Sequence, residues 1–273
     1  MSKPIRFALN RISAPRLAFD EYLAMCKRLG VTTIEIRNDL NGVEISDGTP
    51  AGAIRTAAEQ AGVTIRSINA LYPFDVFDAD LAQRAVSLAN YARDCGAEAL
   101  VMCPLNSRDD QRSAAERRVD LVSALKQLRP ILDDNGLLGL VEPLGFEECS
   151  LRRKSDAVNA IYDAGCEKNY RLVHDTFHHY LSGEDVFYPD LTGLVHISGV
   201  ESAELADAQM RDGHRVLVGE ADRLGNLRQL KILRERGYDG VVSFEPFAAE
   251  VMEASDSERI LKTSMDFIRT ALL

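Results

Sequence analysis

The sequence predicts an α/β fold, a single (β/α)8 TIM barrel in which residues 1–273 form one domain. Three patterns point there. Short apolar runs alternate with helical stripes, as in repeated βα units of roughly 30 residues. The runs number eight, which is the strand count that closes such a barrel. A glycine follows several helical segments where the chain turns back into the next run, as at a left-handed helix terminus.

The first run is IRFALN (5–10). Phe19, Leu23, Cys26 and Leu29 then recur at spacings of three and four, one face of an amphipathic helix closed by Gly30. TIEIR (33–37) is the second run, and a helix ending at Gly62 leads to the third, TIRSINAL (64–71). Leu81, Ala85, Leu88 and Ala92 form the next stripe, Gly96 ends it, and ALVMCP (99–104) follows. Val119, Val122, Leu125 and Leu128 are read as the stripe before Gly136 and the fifth run, LLGLVE (137–142). RLVHD (171–175), LVHIS (194–198) and VVSFE (241–245) complete the set, with Gly165 and Gly237 ending helices before the sixth and eighth. Leu261, Met265, Ile268 and Leu272 mark a closing helix. The runs are nearly continuous in apolar residues, as expected of parallel strands covered on both faces. A doubly wound sheet is the alternative, but neither a G-x-G-x-x-G fingerprint nor a P-loop occurs, so no dinucleotide or nucleoside triphosphate is expected.

The composition, 46% apolar and 27% charged, is that of a soluble chain able to bury a large core. A formal net charge of −10 disfavours phosphate backbones and anionic lipid, so neither nucleic acid nor membrane is an expected partner. The five cysteines contain no C-x-x-C pair, which argues against a structural zinc site or a disulfide framework. MSKPIRFALN passes straight into a strand-like run without a signal-type apolar stretch, and the expected location is cytoplasmic.

In a parallel barrel the C-terminal strand ends form the active face. The first four runs place hydrogen-bonding groups there: Asn10 and Arg11, Glu35 and Arg37, Asn69, and Cys103. The last four end in Glu142, Asp175, His196 and Glu245. Any one of these alone has a structural explanation, an arginine partner for a glutamate or a core hydrogen bond for the histidine. Together at one mouth the charges repel unless a dication joins them. Three carboxylates and an imidazole make an oxygen-rich set suited to one divalent ion, Mn²⁺, Mg²⁺, Co²⁺ or Zn²⁺, with positions left for substrate. His178 and Arg215 fall in loops at the same face and, with Asn69, are the expected substrate-binding groups. His174 should point to the opposite side of its strand and pack; His179 and His214 acquire no role.

Such a site acidifies a carbon beside a carbonyl and stabilises an enediolate. Glu142 and Glu245, separated by the sixth and seventh runs, are the expected acid/base pair. Returning the proton to the neighbouring carbon isomerises the substrate; returning it to the opposite face epimerises it. No lysine ends a strand, which argues against Schiff-base chemistry. The segment PFAAEV after Glu245 lacks glycine, which favours a substrate without phosphate.

The order strand–Glu, strand–Asp-x-x-His, strand–His, arginine loop, strand–Glu resembles the xylose-isomerase-like barrel superfamily of sugar isomerases and epimerases. IEIR (34–37), INAL (68–71), CPL (103–105), DTFHHYLSG (175–183), VHIS (195–198), HRV (214–216) and VVSFEPF (241–247) carry the likeness nearly end to end. Within it they are similar to the inosose isomerases of inositol catabolism. The resemblance implies a divalent metal on Glu142, Asp175, His196 and Glu245, with His178 and Arg215 meeting a small keto-polyol or sugar, 2-keto-myo-inositol in the first instance, and leaves a homo-oligomer open. The sequence departs from the family where Ser198 and Gly199 replace acidic residues and where VGEADRLG follows the arginine. A ketose 3-epimerase is the alternative on the same site. An abasic-site endonuclease would want further histidines where Asn69 and Cys103 stand, and a basic surface. A non-catalytic sugar-binding barrel would not need the intact ligand set.

Overall fold

A computed structural model describes residues 4–272. Eight parallel strands close in sequence order: β1 (Arg6–Asn10), β2 (Thr33–Arg37), β3 (Thr64–Leu71), β4 (Ala99–Met102), β5 (Leu138–Val141), β6 (Tyr170–Asp175), β7 (Thr192–Ile197) and β8 (Val241–Phe244). The helices between them are α1 (Phe19–Leu29), α2 (Ala51–Ala61), α3 (Ala79–Cys95), α4 (Ala114–Asn135), α5 (Lys154–Ala164), α6 (Thr176–Ser182), α7 (Asn226–Glu235), α8 (Ala249–Met252) and α9 (Ser257–Ala271). All eight expected runs are strands. The fourth, fifth, seventh and eighth stop short of their C-terminal sequence limits, so Glu142 and Glu245 are the first residues beyond β5 and β8.

Local chemistry explains the alternation. The Asp78 carboxylate caps α3 by accepting from the Leu81 amide at 2.8 Å, and Ser113 and Glu116 form a reciprocal capping box at the start of α4. Such caps contribute about 1 kcal/mol each. Gly136 ends α4 at φ +65°, where a side chain would be strained, and turns the chain into β5.

One sequence expectation fails on α4. Val119 is 68% exposed; the buried face runs through Leu121, Leu125, Leu128 and Leu132. Val119 and Val122 share the apolar spacing with Leu125, but the helix presents the leucine-rich face, which removes more apolar area from water.

The core has three parts. The largest lies between strands and helices, with Ile34, Ile36, Leu100, Leu172 and Phe244 against Leu23, Ala92, Leu128 and Met265. A second, made of Ala99, Val101, Leu140, Val173 and Leu194, comes from alternate positions of adjacent strands and fills the barrel interior. The third, with Phe146, Phe177, Val200, Met210 and Leu224, is built largely from segments at the C-terminal ends of β5 to β7. Gly145 permits part of this cover: a Cβ there would strike the His178 carbonyl oxygen and approach Leu181 Cβ to 2.8 Å. No described helix is long and apolar enough to cross a membrane.

Candidate metal centre

The strand register gathers the site. Asp175 pairs with His196, and His196 with Ser243, so these positions share one layer. The Glu142 amide donates to the Met102 carbonyl at 3.0 Å, and the Glu245 amide to the Ile197 carbonyl at 2.9 Å, fixing the two glutamates just above that layer. Ligand-type atoms of Glu142, Asp175, His196 and Glu245 all lie within 4.8 Å of one another, and all four side chains are buried.

His196 stands at the centre. Its Nδ1 is 2.8 Å from Glu142 Oε1, 3.2 Å from Glu245 Oε2 and 4.0 Å from Asp175 Oδ2. Its Nε2 is 3.1 Å from both oxygens of Glu35. Asp175 has two jobs. Its Oδ1 caps α6, accepting from the amides of Phe177 (2.7 Å) and His178 (3.1 Å), which leaves Oδ2 turned to the site. Glu245 is held on both oxygens, by Arg37 Nη1 at 2.8 Å on Oε1 and Arg215 Nη2 at 2.9 Å on Oε2. Cys103 Sγ lies 3.4 Å from Glu142 Oε2.

Burial works against every charge here, and the neighbours decide the outcome. For His196, burial would lower the pKa, but the Glu245, Glu35 and Glu142 carboxylates outweigh it and hold the ring well above its usual value. For Glu35, burial would raise the pKa, yet His196 brings it down to about 2. Glu245 is likewise driven well below the usual carboxylate range, burial being overcome by His196, Arg215 and Arg37.

The donor set fits a dication. Four buried carboxylates, Glu35, Glu142, Asp175 and Glu245, face two guanidiniums and one imidazole. Both guanidiniums also answer a solvated carboxylate, Arg37 through Asp39 and Arg215 through Asp212. A neutral His196 ring offering its Nδ1 lone pair would leave the carboxylates under-compensated, which a divalent ion among oxygen donors relieves.

The expected substrate-binding residues have different surroundings. Arg215 lies at the site, its Nε donating to Ser198 Oγ (2.9 Å) and its guanidinium held over the Phe177 and Phe247 rings. His178 is buried edge-on to Phe146 and Phe177, and its Nδ1 has no hydrogen-bond partner. Asn69 spends its amide on Glu35 Oε2 (2.9 Å) and Ser67 Oγ (3.3 Å), inside the barrel. His174 packs outside the barrel, stacked on Phe187, and His179 joins it there.

Two participants were not assigned a role from sequence. Glu35 and Arg37 sit two residues apart, hence on one face, in a strand that is otherwise buried. That alternation of charge within a core strand was the available signal. Lys154 was missed as well: it is buried at the start of α5, its Nζ 2.8 Å from His174 Nδ1, while His174 Nε2 lies 2.9 Å from Gln229 Oε1. A cleft of about 730 Å³ lies at the opposite end of the barrel beside Arg6, Tyr238 and Leu272 and shares none of these residues.

Comparison with known proteins extends this geometry. The model of the family described as xylose isomerase-like TIM barrel matches residues 23–271. A xylose isomerase domain containing protein of Salmonella typhimurium LT2 is 32% identical, with a TM-score of 0.90 over 98% of each chain. The IolI protein, crystallised with a bound zinc atom, shares the fold at 20% identity, with a TM-score of 0.85 over 98% of each chain. An inosose isomerase of Halalkalibacterium halodurans is 28% identical over 156 residues, 56% of this chain; the match spans about half of that relative's length (54%).

Proposed function

Given that this chain belongs to the xylose isomerase-like TIM barrel family, we propose that it is a divalent-metal-dependent isomerase that moves a carbonyl on a non-phosphorylated keto-polyol, with 2-keto-myo-inositol the first substrate to test. The observation that carries this reading is the convergence of Glu142, Asp175, His196 and Glu245 at the C-terminal mouth of the barrel. These four would hold the ion. When bound, it would supply Lewis-acid polarisation of a substrate carbonyl and its neighbouring hydroxyl.

The protein groups do the rest. Glu245 is kept ionised by two arginines, which also makes it a weak base, so it would accept a proton from a carbon that the bound ion has acidified. Glu142, separated from Glu245 by β6 and β7, would enter protonated and give that proton to the adjacent carbon, while the hydroxyl proton passes to the former carbonyl oxygen and exchange with solvent restores both glutamates. Arg215 carries a planar fork suited to a hydroxyl–carbonyl pair. His178, with a buried and unpartnered Nδ1, is a group that a substrate oxygen would satisfy. Phe146 and Phe177 pack against it and exclude water from that side. Arg152 is already committed to the carbonyls of Gly145 and Leu181, which fits a substrate without phosphate.

The deciding experiment is a screen of inososes and ketohexoses with chelator-treated protein, with and without added Mn²⁺, Co²⁺, Mg²⁺ or Zn²⁺. Metal-restored conversion of 2-keto-myo-inositol is expected. Inversion at one carbon of a ketohexose, with no carbonyl shift, would replace isomerase by 3-epimerase on the same residues. Turnover of phosphorylated sugars alone would refute the phosphate argument.

A further inference from the structure

We propose that Glu35 is a positioning residue that fixes the tautomer and orientation of His196, so that Nδ1 is presented to Glu142, Asp175 and Glu245 as a metal-binding lone pair. The metal part of this rests on the reading above; the tautomer part does not. Glu35 is wholly buried, and its two oxygens sit symmetrically beneath His196 Nε2, each at 3.1 Å. An ionised carboxylate can only accept hydrogen bonds, so Nε2 must carry a proton. In the neutral ring the lone pair then falls on Nδ1, the nitrogen that faces the three carboxylates. A histidine that binds a metal commonly hands its other N–H to such an acceptor.

The carboxylate is itself held in place. Ser67 Oγ donates to Glu35 Oε2 at 2.6 Å and Asn69 Nδ2 donates to the same oxygen at 2.9 Å. The pairing of Glu35 with Ser67 and of Arg37 with Asn69 in adjacent strands sets this contact by register. A one-residue slip would carry these side chains to the outer face. The result is a cross-barrel link from β3 through β2 to β7. It also gives Asn69, an expected substrate contact, a second role: its amide serves Glu35.

Two donors on Oε2 make Glu35→Gln a sharp test. Ser67 and Asn69 need an acceptor there, so the amide oxygen takes that place and the amide nitrogen turns to His196 Nε2. Nε2 then loses the carboxylate that held its proton and meets an amide N–H, which favours acceptance by Nε2 and moves the ring proton toward Nδ1, where it blocks the lone pair. Side-chain volume is nearly unchanged, so the variant should fold. Mn²⁺ affinity is measured by calorimetry on chelator-treated wild type and E35Q. The tautomer of the neutral His196 ring is read by ¹⁵N NMR of histidine-labelled, metal-free protein at a pH alkaline enough to remove the second proton that the surrounding carboxylates hold on the ring. Expected are a weakening of Mn²⁺ binding by about 10- to 100-fold and a shift of the ring proton from Nε2 to Nδ1. An unchanged tautomer in folded E35Q overturns the proposal, whatever its affinity. A purely structural role for Glu35 would lower the melting temperature and leave the Mn²⁺ affinity of the folded protein at the wild-type value, which also overturns it. If wild type binds no Mn²⁺, the metal reading falls and the tautomer measurement alone decides the role of Glu35. Should E35Q not fold, Asn69→Asp supplies the second variant. It swaps one donor for a like charge beside Oε2, and wild-type Mn²⁺ affinity in that protein would count against the proposal.

Discussion

Arg215 Nη2 donates to Asp175 Oδ2 at 2.6 Å, on the one carboxylate oxygen that the amides of α6 leave open. The same nitrogen reaches Glu245 Oε2 at 2.9 Å, so one guanidinium neutralises two of the four converging groups. Removing it leaves buried Asp175 Oδ2 without its cation and Glu245 with Arg37 as its one remaining guanidinium. Arg215→Ala should therefore cost about 3–5 kcal/mol in the metal-free protein. Added Mn²⁺ should recover part of that loss by supplying positive charge to the same groups. Thermal unfolding of wild type and variant, each with and without Mn²⁺, measures both effects. An equal Mn²⁺ shift in the two proteins would show that Arg215 and the metal act on separate carboxylates. In turnover the variant should show a raised KM and a lowered kcat.

Proton transfer gives the next expectation. Glu142→Gln or Glu245→Gln should lower kcat by about 10²–10⁴, the usual contribution of a positioned acid or base, with a further loss from weakened metal binding. Product formed in D₂O should carry solvent deuterium at the carbon that receives the proton. Complete retention of the substrate's own hydrogen would contradict transfer between two exchanging glutamates and leave a hydride shift or a shielded single-base transfer.

Lys154 makes the stability pH-dependent on the alkaline side. Burial lowers its pKa from 10.5 to about 8, with Glu184 opposing. Between these values the unfolded chain binds more protons than the folded one, so this residue's contribution to stability rises with pH from about 8 to 10.5. Below pH 8 the burial cost is present in full, on the order of 3 kcal/mol. Lys154→Met should stabilise the protein at pH 7 and lose that advantage by pH 10.5. The difference between the two unfolding free energies across that window is the measurement; a flat difference would mean that the amine is not desolvated as the structure places it.

His179 acts on the acid side. Burial, helped by Lys154 and Arg228, lowers its pKa from 6.5 to about 3. A basic group with a depressed folded pKa contributes stability above its unfolded value, and that stability is lost as pH falls from about 6.5 toward 3. His179→Phe should flatten the acid limb of the stability curve. An unchanged limb would assign the acid loss to other groups.

Much of this was legible in the sequence because parallel strands buried on both faces leave few polar residues, and those at strand ends stand out. DTFHHYLSG and VVSFEPF placed Asp175, His178 and Glu245, and the glycines ending helices marked the returns to the sheet. What escaped were cross-barrel partnerships. Glu35 meets His196 across 161 residues of sequence, and Arg37 meets Glu245 across 208, through closure of the sheet that no local pattern encodes. Lys154 escaped because a lysine at a helix start reads as solvated, and only the aromatic cover of Phe187 and Tyr188 reveals that it is not. Val119 misled because apolar spacing alone does not say which of two overlapping faces a long helix buries.

The most direct test of the metal-dependent reading is anomalous scattering from crystals of the protein soaked in Mn²⁺. The account predicts one strong peak within coordination distance of Glu142, Asp175, His196 Nδ1 and Glu245, absent in His196→Ala. A peak elsewhere, or none at these four residues under conditions that support turnover, would contradict it.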